Sequence, residues 1–508
     1  MWRSGCYSYR VASAVTLVAF SAGCTTWKSP QLAPEQVVAG KRPDHVRVLQ
    51  SSGVQLELWH PRISNDSLVG RLAQADSTRL GGIPLADIKQ LQVRAVSAGK
   101  TVLLIAGVGV AALLVGAAVS DQDYFNGGGT DTTSCPLVYS WDGHQWRLDS
   151  GTFGGAIMSA LTRTDVDNLL HAAAVGDTLR LRVANQARET DYLDFLAVLV
   201  VDHRPGTGVV PDGEGRLQSL VAPEAPAGAV DLHGRDVLAR VSRSDGWAWE
   251  SIPTDRDSSR AADVRDGVEL SFRRPPGATT ARLLVDASNS AWAQFMMKRF
   301  VALHGTATQA WYDSVAADRR LAQRIGAMMA REVYLRVAVK VDGRWERQGL
   351  VREGGPEISK QQIVPLDLSG ATGDRVTVRL ESAPSLWLLD RVAIDYSAPE
   401  SLTSREILPS RAIDHGGRDI RGLIDAADER EYVMERGDRA ELTFAVPPVP
   451  PGRARSYVLV TRGWYRIDVP ATGEPQFALL EQALGEPLAA SRLITGDLER
   501  AVAALEKP

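Results

Sequence analysis

The stretch LVYSWDGHQWRLD, residues 137–149, decides the fold class of this chain. Two runs of alternating side chains flank Asp142-Gly143, a pair that tolerates the left-handed backbone of a two-residue hairpin turn. The device returns at Asp342-Gly343, between YLRVAVKV (334–341) and RWERQGLV (344–351). Working outward, TLRLRVAN (178–185), FLAVLVVDH (195–203), VELSFRR (268–274), RVTVRLES (375–382), WLLDRVAIDY (387–396), AELTFAV (440–446) and SYVLVTR (456–462) read as further strands. Short strands with a turn every ten or so residues predict sandwiches or barrels.

Two segments break the pattern. Between 289 and 332, Trp292, Phe295, Met296, Arg299, Phe300 and Leu303 recur at helical spacing, and a second helix is predicted from Thr308 to Arg331. The tail from Pro475 to Leu505 is helical again, through Leu479, Leu480, Leu484, Leu498 and Val502. No internal repeat of fixed period emerges beyond the two hairpins.

With 508 residues, 44% hydrophobic and 23% charged, the chain is long enough for several domains and too apolar for general disorder. A net charge of −4 and a pI near 6.1, with no basic block, argue against nucleic acid as a partner. Three cysteines are too few for a disulfide scaffold.

Arg3 and Arg10 precede an apolar run from Val11 to Phe20, which ends in Ser21-Ala22-Gly23-Cys24. This is the charged start, short apolar centre and small-residue ending of a secretory signal. The small residues before Cys24 resemble the lipobox of bacterial lipoproteins, with Ser21 standing where that family usually has Leu. The resemblance covers residues 1–24 and implies cleavage before Cys24, acylation of its sulfur, and a place in the outer membrane rather than the inner. Cys135 then remains a lone thiol, expected to be a small buried hydrophobe.

Residues 101–120, TVLLIAGVGVAALLVGAAVS, carry no charge and are long enough for a transmembrane helix. Gly109, Ala112, Gly116 and Ser120 fall on one face of it, a helix-packing stripe that would let two copies approach closely. Lys89, Arg94 and Lys100 precede the segment and no Lys or Arg follows until Arg147. The charge rule therefore places the C-terminal region outside the cytoplasm, while an exported N-terminus places residues 24–100 there too. A single crossing does not satisfy both. Gly99-Lys100-Thr101 lacks the glycine a phosphate loop needs five residues earlier, and Asp121 to Thr132 lacks the spacing of a calcium loop.

The expected organisation is a signal peptide (1–23), a tether (24–43), a small β-domain (44–98), the membrane-associated helix (101–120) and a Gly/Asp/Thr linker (121–134). A β-rich domain (135–288), a helical segment (289–332), a sandwich-like domain (333–400) and a β segment with a helical tail (401–508) follow. The fold class is mainly β and multi-domain.

Motifs with chemistry are scarce. None of the eight histidines pairs with another at metal-ligand spacing, and HExxH, CxxC, GxSxG and a strand-following GxGxxG are all absent. No metal and no cofactor are expected. Asp165 and Asp167, with Asn168 and His171, would suit a metal or paired acid–base work, but read more simply as a helix start capped by Thr164 or Asp165. Asp202 and His203 close a strand and project into a loop, or serve as turn residues. Trp247 and Trp249 share one face of any strand, as a sugar-stacking platform or as core. Met296-Met297 and Met328-Met329 would suit an adaptable binding surface, yet are expected to lie on a neighbouring sheet.

The segments CPLVYSWDG (135–143) and YLDFLAVLVVDHRPG (192–206) also resemble stretches of exported bacterial proteins of no known activity. The expectation is a cell-envelope lipoprotein, non-catalytic, serving binding or assembly. Its partners would be membrane lipid through Cys24 and residues 101–120, and an envelope protein or glycan. The alternatives are a glycan-binding or glycan-cleaving secreted protein, and a homo-oligomeric accessory to transport or secretion.

Overall fold

The computed structural model describes residues 25–28, 38, 45–50, 55–64, 67–71, 80–96, 134–250, 264–352, 354–355 and 358–505. The chain divides into two compact units, 1–106 and 107–508. The lipidation candidate Cys24, the stripe Gly109, Ala112, Gly116 and Ser120, and the whole run 101–120 lie outside the described residues. Among those described, no helix is long and apolar enough to cross a membrane.

The first unit is one antiparallel sheet. Its strands are β1 (Thr25–Lys28), β2 (His45–Gln50), β3 (Gln55–Ser64), β4 (Ser67–Arg71), β5 (Leu80–Pro84) and β6 (Ile88–Val96), in the order β1-β6-β2-β3-β4-β5. Val46, Val48, Leu58, Leu68, Ile83 and Leu91 form its core, at alternate positions as a half-covered sheet requires. The expected tether is part of this sheet at its start, because Thr25–Lys28 pair with Val93–Val96.

In the second unit two sandwiches share the chain. The strands run β7 (Leu137–Trp141), β8 (Trp146–Gly151), β9 (Arg163–Asn168), β10 (Thr178–Ala184) and β11 (Glu189–His203), then the hairpin β12 (Gly208–Pro211) and β13 (Leu217–Leu220). Next come β14 (Gly228–Asp231), β15 (Trp249–Glu250), β16 (Asp266–Arg273) and β17 (Thr280–Asn289). After a helical segment the chain continues through β18 (Leu335–Val341), β19 (Arg344–Val351), β20 (Lys360–Asp367), β21 (Arg375–Ser382) and β22 (Trp387–Asp395). It ends its β portion with β23 (Thr403–Ile407), β24 (Arg411–Asp414), β25 (Tyr432–Met434), β26 (Arg439–Ala445) and β27 (Ala454–Ile467).

Pairing does not follow the expected boundaries at 288 and 400. The outer sandwich combines β24-β26-β10-β7-β8 with β23-β11-β27-β9, with β25 also on β11, so residues 137–203 are completed by 403–467. The inner sandwich combines β14-β16-β21-β18-β19 with β15-β22-β17-β20. Each encloses its own core, Leu181, Val183, Leu196, Leu442 and Phe444 in the outer and Leu270, Phe272, Leu283, Val378 and Leu389 in the inner.

The two sandwiches are copies of one pattern. In chain order the segments alternate, β7–β11, β14–β17, β18–β22, β24–β27, and the strand orders correspond, with β25 matching β15 and β23 an extra strand of the outer sandwich. Sequence follows the correspondence. Glu269-Leu270-Ser271-Phe272 matches Glu441-Leu442-Thr443-Phe444, and Pro275-Pro276-Gly277 matches Pro450-Pro451-Gly452. Ala229-Val230-Asp231 and Gly234-Arg235-Asp236-Val237 match Ala412-Ile413-Asp414 and Gly417-Arg418-Asp419-Ile420.

Details of bonding repeat as well. Asp231 Oδ1 accepts from the amides of His233 (3.0 Å) and Arg235 (2.9 Å), and Oδ2 from Arg235 Nε (2.6 Å). Asp414 does the same with Gly416 (2.9 Å), Arg418 N (2.8 Å) and Arg418 Nε (3.1 Å). Arg182 pairs across strands with Glu441 and lies 4.3 Å from the Trp146 ring centre. Arg379 pairs with Glu269 and lies 4.1 Å from that of Trp345. The sequence shows no repeat of fixed period, yet the fold repeats: one strand pattern occurs twice, and its two copies have exchanged halves.

The helices are additions to this duplicated frame. Helix α1 (Ala291–Ala302) starts at Ser290, whose Oγ accepts from Ala293 N. The expected single helix 308–331 is two, α2 (Thr308–Ala317) and α3 (Arg319–Met328), because Asp318 takes an extended backbone and caps the second through Arg320 N. The predicted tail is α4 (Phe477–Gly485) and α5 (Ala489–Leu505). Trp292, Phe295 and Met296 pack on the inner core with Ile494 and Leu498, whereas Trp311, Ile325, Met328 and Met329 pack on the outer core with Leu484. The helical layer thus ties the sandwiches together. Phe272→Ala and Phe444→Ala, at matching buried positions, are each expected to cost about 3–5 kcal/mol in urea unfolding. A loss confined to one of them would break the equivalence.

Candidate functional site

A cavity opens where the helical layer meets both sandwiches. Helix α1 contributes Ala293, Gln294, Met296, Met297 and Phe300, the end of α3 gives Ile325, Met328 and Met329, and Ala483, Ala490, Leu493 and Ile494 come from α4 and α5. The sandwiches add Cys135, Gly154, Gly155 and Tyr465 on one side and Asn289, Arg352, Gly354 and Trp387 on the other. Four of the chain's seven methionines stand in this wall. Thioether side chains are flexible and polarisable, so they fit apolar guests of varied shape. The cavity encloses about 90 Å³ and its lining is mainly apolar.

Its floor depends on two matching Gly-Gly turns, one in each copy. A Cβ on Gly154 would stand 3.6 Å from the Gly354 carbonyl oxygen, and one on Gly354 would stand 2.8 Å from Asn289 N. The first distance is ordinary contact, but at Gly354 only bare backbone fits against the end of β17.

Behind the Cys135 and Tyr465 wall lies a buried acid pair. Glu189 and Asp191 stand two apart on β11, 2% and 0% exposed, and face one another. Ser134 Oγ donates to Glu189 Oε2 at 2.9 Å, and neither Asp191 oxygen has a partner among the described residues other than the Glu189 carboxyl. Burial pushes Glu189 up to about 7, and burial together with Glu189 raises Asp191 well above the usual range. Two carboxyls this close share a proton rather than ionise together. Burial likewise raises the Cys135 thiol, with Glu189 adding to it, so the expectation of a buried, inert cysteine agrees with its 2% exposure.

The residues singled out from sequence are placed as follows. Asp165 and Asp167 do not begin a helix. They lie on β9, buried, facing Lys360 of β20, whose Nζ is 2.9 Å from Asp167 Oδ1 and 3.5 Å from Asp165 Oδ2. Asp165 also accepts from Phe153 N and pairs with Arg163, and Asp167 accepts from Ser150 Oγ at 2.6 Å. Alternation on a strand, not helical capping, sends both carboxylates to one side. Burial raises Asp167 although Lys360 opposes the shift. This paired cluster clamps the outer sandwich to the inner one.

His171 Nδ1 bonds Asp149 Oδ1 at 2.7 Å. Asp202 accepts from Arg455 at 2.7 and 2.9 Å, and His203 is 5% exposed with Nε2 2.9 Å from Ser456 Oγ. Both bind β11 to β27 rather than facing a loop-built site. Trp249 is buried at the start of β15, whereas Trp247 is 54% exposed in the preceding loop with the Arg240 guanidinium 3.9 Å from its ring centre. The two rings share no platform. Among the described residues no group of three His, Cys, Asp or Glu side chains could hold a metal.

Sequence reasoning missed the cavity and the acid pair. The doubled methionines signalled the first; Glu189-Thr190-Asp191, polar and charged, gave no sign of burial.

A carboxyl raised by burial favours the folded state when neutral. Stability is therefore expected to fall as pH rises from about 4.5 to 7, by on the order of 3 kcal/mol from Glu189, with the raised Asp191 adding to the loss. Urea unfolding across pH 4–8 checks this, and Glu189→Gln should flatten the curve. Cys135 is expected to resist maleimide in the native chain and to react fully in denaturant, as read by intact mass; native labelling would contradict its burial.

Comparison with protein-family models, with curated proteins and with solved structures finds no match for this chain.

Proposed function

We propose that this chain is a lipid-anchored component of the bacterial cell envelope, non-catalytic, which holds a small, largely apolar ligand in the methionine-lined cavity. The observation that carries the binding half is the cavity itself: an apolar enclosure with a few polar groups, walled by adaptable side chains. The anchoring half rests on the signal-like N-terminus and the lipobox-like residues before Cys24.

The other chemistry in the molecule favours structure over catalysis. Glu189, Asp191, Asp165 and Asp167 are all buried, the last two engaged with Lys360, and a substrate would have to unpack the fold to reach them. A glycan platform would require Trp247 and Trp249 on one open face, and Trp249 is in the inner core.

Two measurements test the proposal. Intact mass with membrane fractionation should find a chain starting at Cys24, carrying lipid, in the outer membrane. An uncleaved chain in the inner membrane would overturn the anchor. For the cavity, anilinonaphthalene sulfonate should bind the native chain at one site per molecule, and Ala293→Trp, which intrudes into the opening, should weaken it at least tenfold without loss of cooperative unfolding. Unchanged binding in that variant would remove the cavity as the site.

A further inference from the structure

The cavity is apolar in depth but asymmetric in charge. Arg352, exposed, is the one charged side chain among the described residues that line it. Its backbone amide bonds Gln362, while its guanidinium makes no ion pair with a described residue. Arg182, Arg204, Arg216, Arg235, Arg379 and Arg455, by contrast, all hold carboxylates. Asn289 and Gln294, both half-buried, stand in the same wall and add amide donors. A guanidinium with five fixed donors suits a carboxylate or phosphate better than any neutral group.

Resting on the cavity reading above, we infer that the ligand is a single-chain amphiphile with an anionic head. Its aliphatic tail enters among Met296, Met297, Met328 and Met329, and its head stays at Arg352, within reach of water. The 90 Å³ enclosed admits the end of one aliphatic tail and not of two. The helices that close the cavity belong to neither copy of the duplicated sandwich, so the site has no second copy in the molecule. Residue Arg352 follows β19, and its counterpart after β8 is Thr152, which is buried and bonded to Thr461.

Displacement of bound anilinonaphthalene sulfonate from the full-length chain tests the inference. Dodecanoate should displace the probe at least tenfold better than dodecanol or dodecyltrimethylammonium. Affinity across octanoate, decanoate and dodecanoate should rise by up to about fourfold per methylene while each is newly buried. Arg352→Gln, a surface change that spares the core, should abolish the preference for dodecanoate and leave dodecanol unaltered. Dodecyl phosphate and lysophosphatidate arms separate a free fatty carboxylate from a lipid phosphate head: the tighter of them names the source. Equal affinity for dodecanoate and dodecanol would overturn the anionic head. If the probe binds while no amphiphile displaces it, the amphiphile falls and the cavity reading stands. If the probe does not bind either, both fall.

Discussion

Strand β11 cannot satisfy its own backbone without chain made more than two hundred and fifty residues later. Glu189 to His203 pair along their whole length with Ala454 to Ile467, broken by one irregularity beside Leu193. Its other edge is covered by β23 and β25, again from beyond residue 400. A buried amide left without a partner costs about as much as a lost hydrogen bond, often 1–3 kcal/mol, and a fifteen-residue strand carries many. The exchange of halves between the copies is therefore not an incidental topology. It is the condition on which the outer core, the Asp202–Arg455 pair and the cavity wall at Tyr465 all depend.

Polar groups at the junction sharpen this constraint. The Lys360 ammonium stands between two carboxylates from the other sandwich, and Glu332, fully buried, accepts from Leu488 N and Ser491 Oγ of the tail. Burying such charges is costly unless each finds its partners, so wrong docking of the sandwiches or of α5 is penalised. Charge pairing thus selects one arrangement of two otherwise similar sandwiches.

Much of the β content was legible, because period-two alternation with Asp-Gly turns is a local signal. Exchange between the copies was not, because pairing over hundreds of residues leaves no local mark. The duplication stayed hidden for a related reason. Insertions such as the helical segment change the offset between matching positions, so Glu269 and Glu441 are closer in sequence than Asp142 and Asp342. A search for a fixed period passes over them. Asp165 and Asp167 resembled helix caps because acidic residues favour such positions, and only the lysine supplied by β20 explains them on a strand. Glu189 and Asp191 gave no signal, since two neighbouring carboxyls are normally solvated. Of the cavity, only the methionine pairs were visible; the convergence of four helices on them was not.

Exchanged halves also impose an order in time. As the chain is synthesised from its N-terminus, residues 137–203 emerge first and have no partner for their long edges. The inner sandwich, residues 228–395, can close as soon as β22 appears. The first-made strands must remain open until β27 arrives last. An exposed, hydrophobic strand such as FLAVLVV is an aggregation hazard while it waits. Shielding that segment until the last strand is made is thus a task this architecture creates for whatever machinery handles the nascent chain.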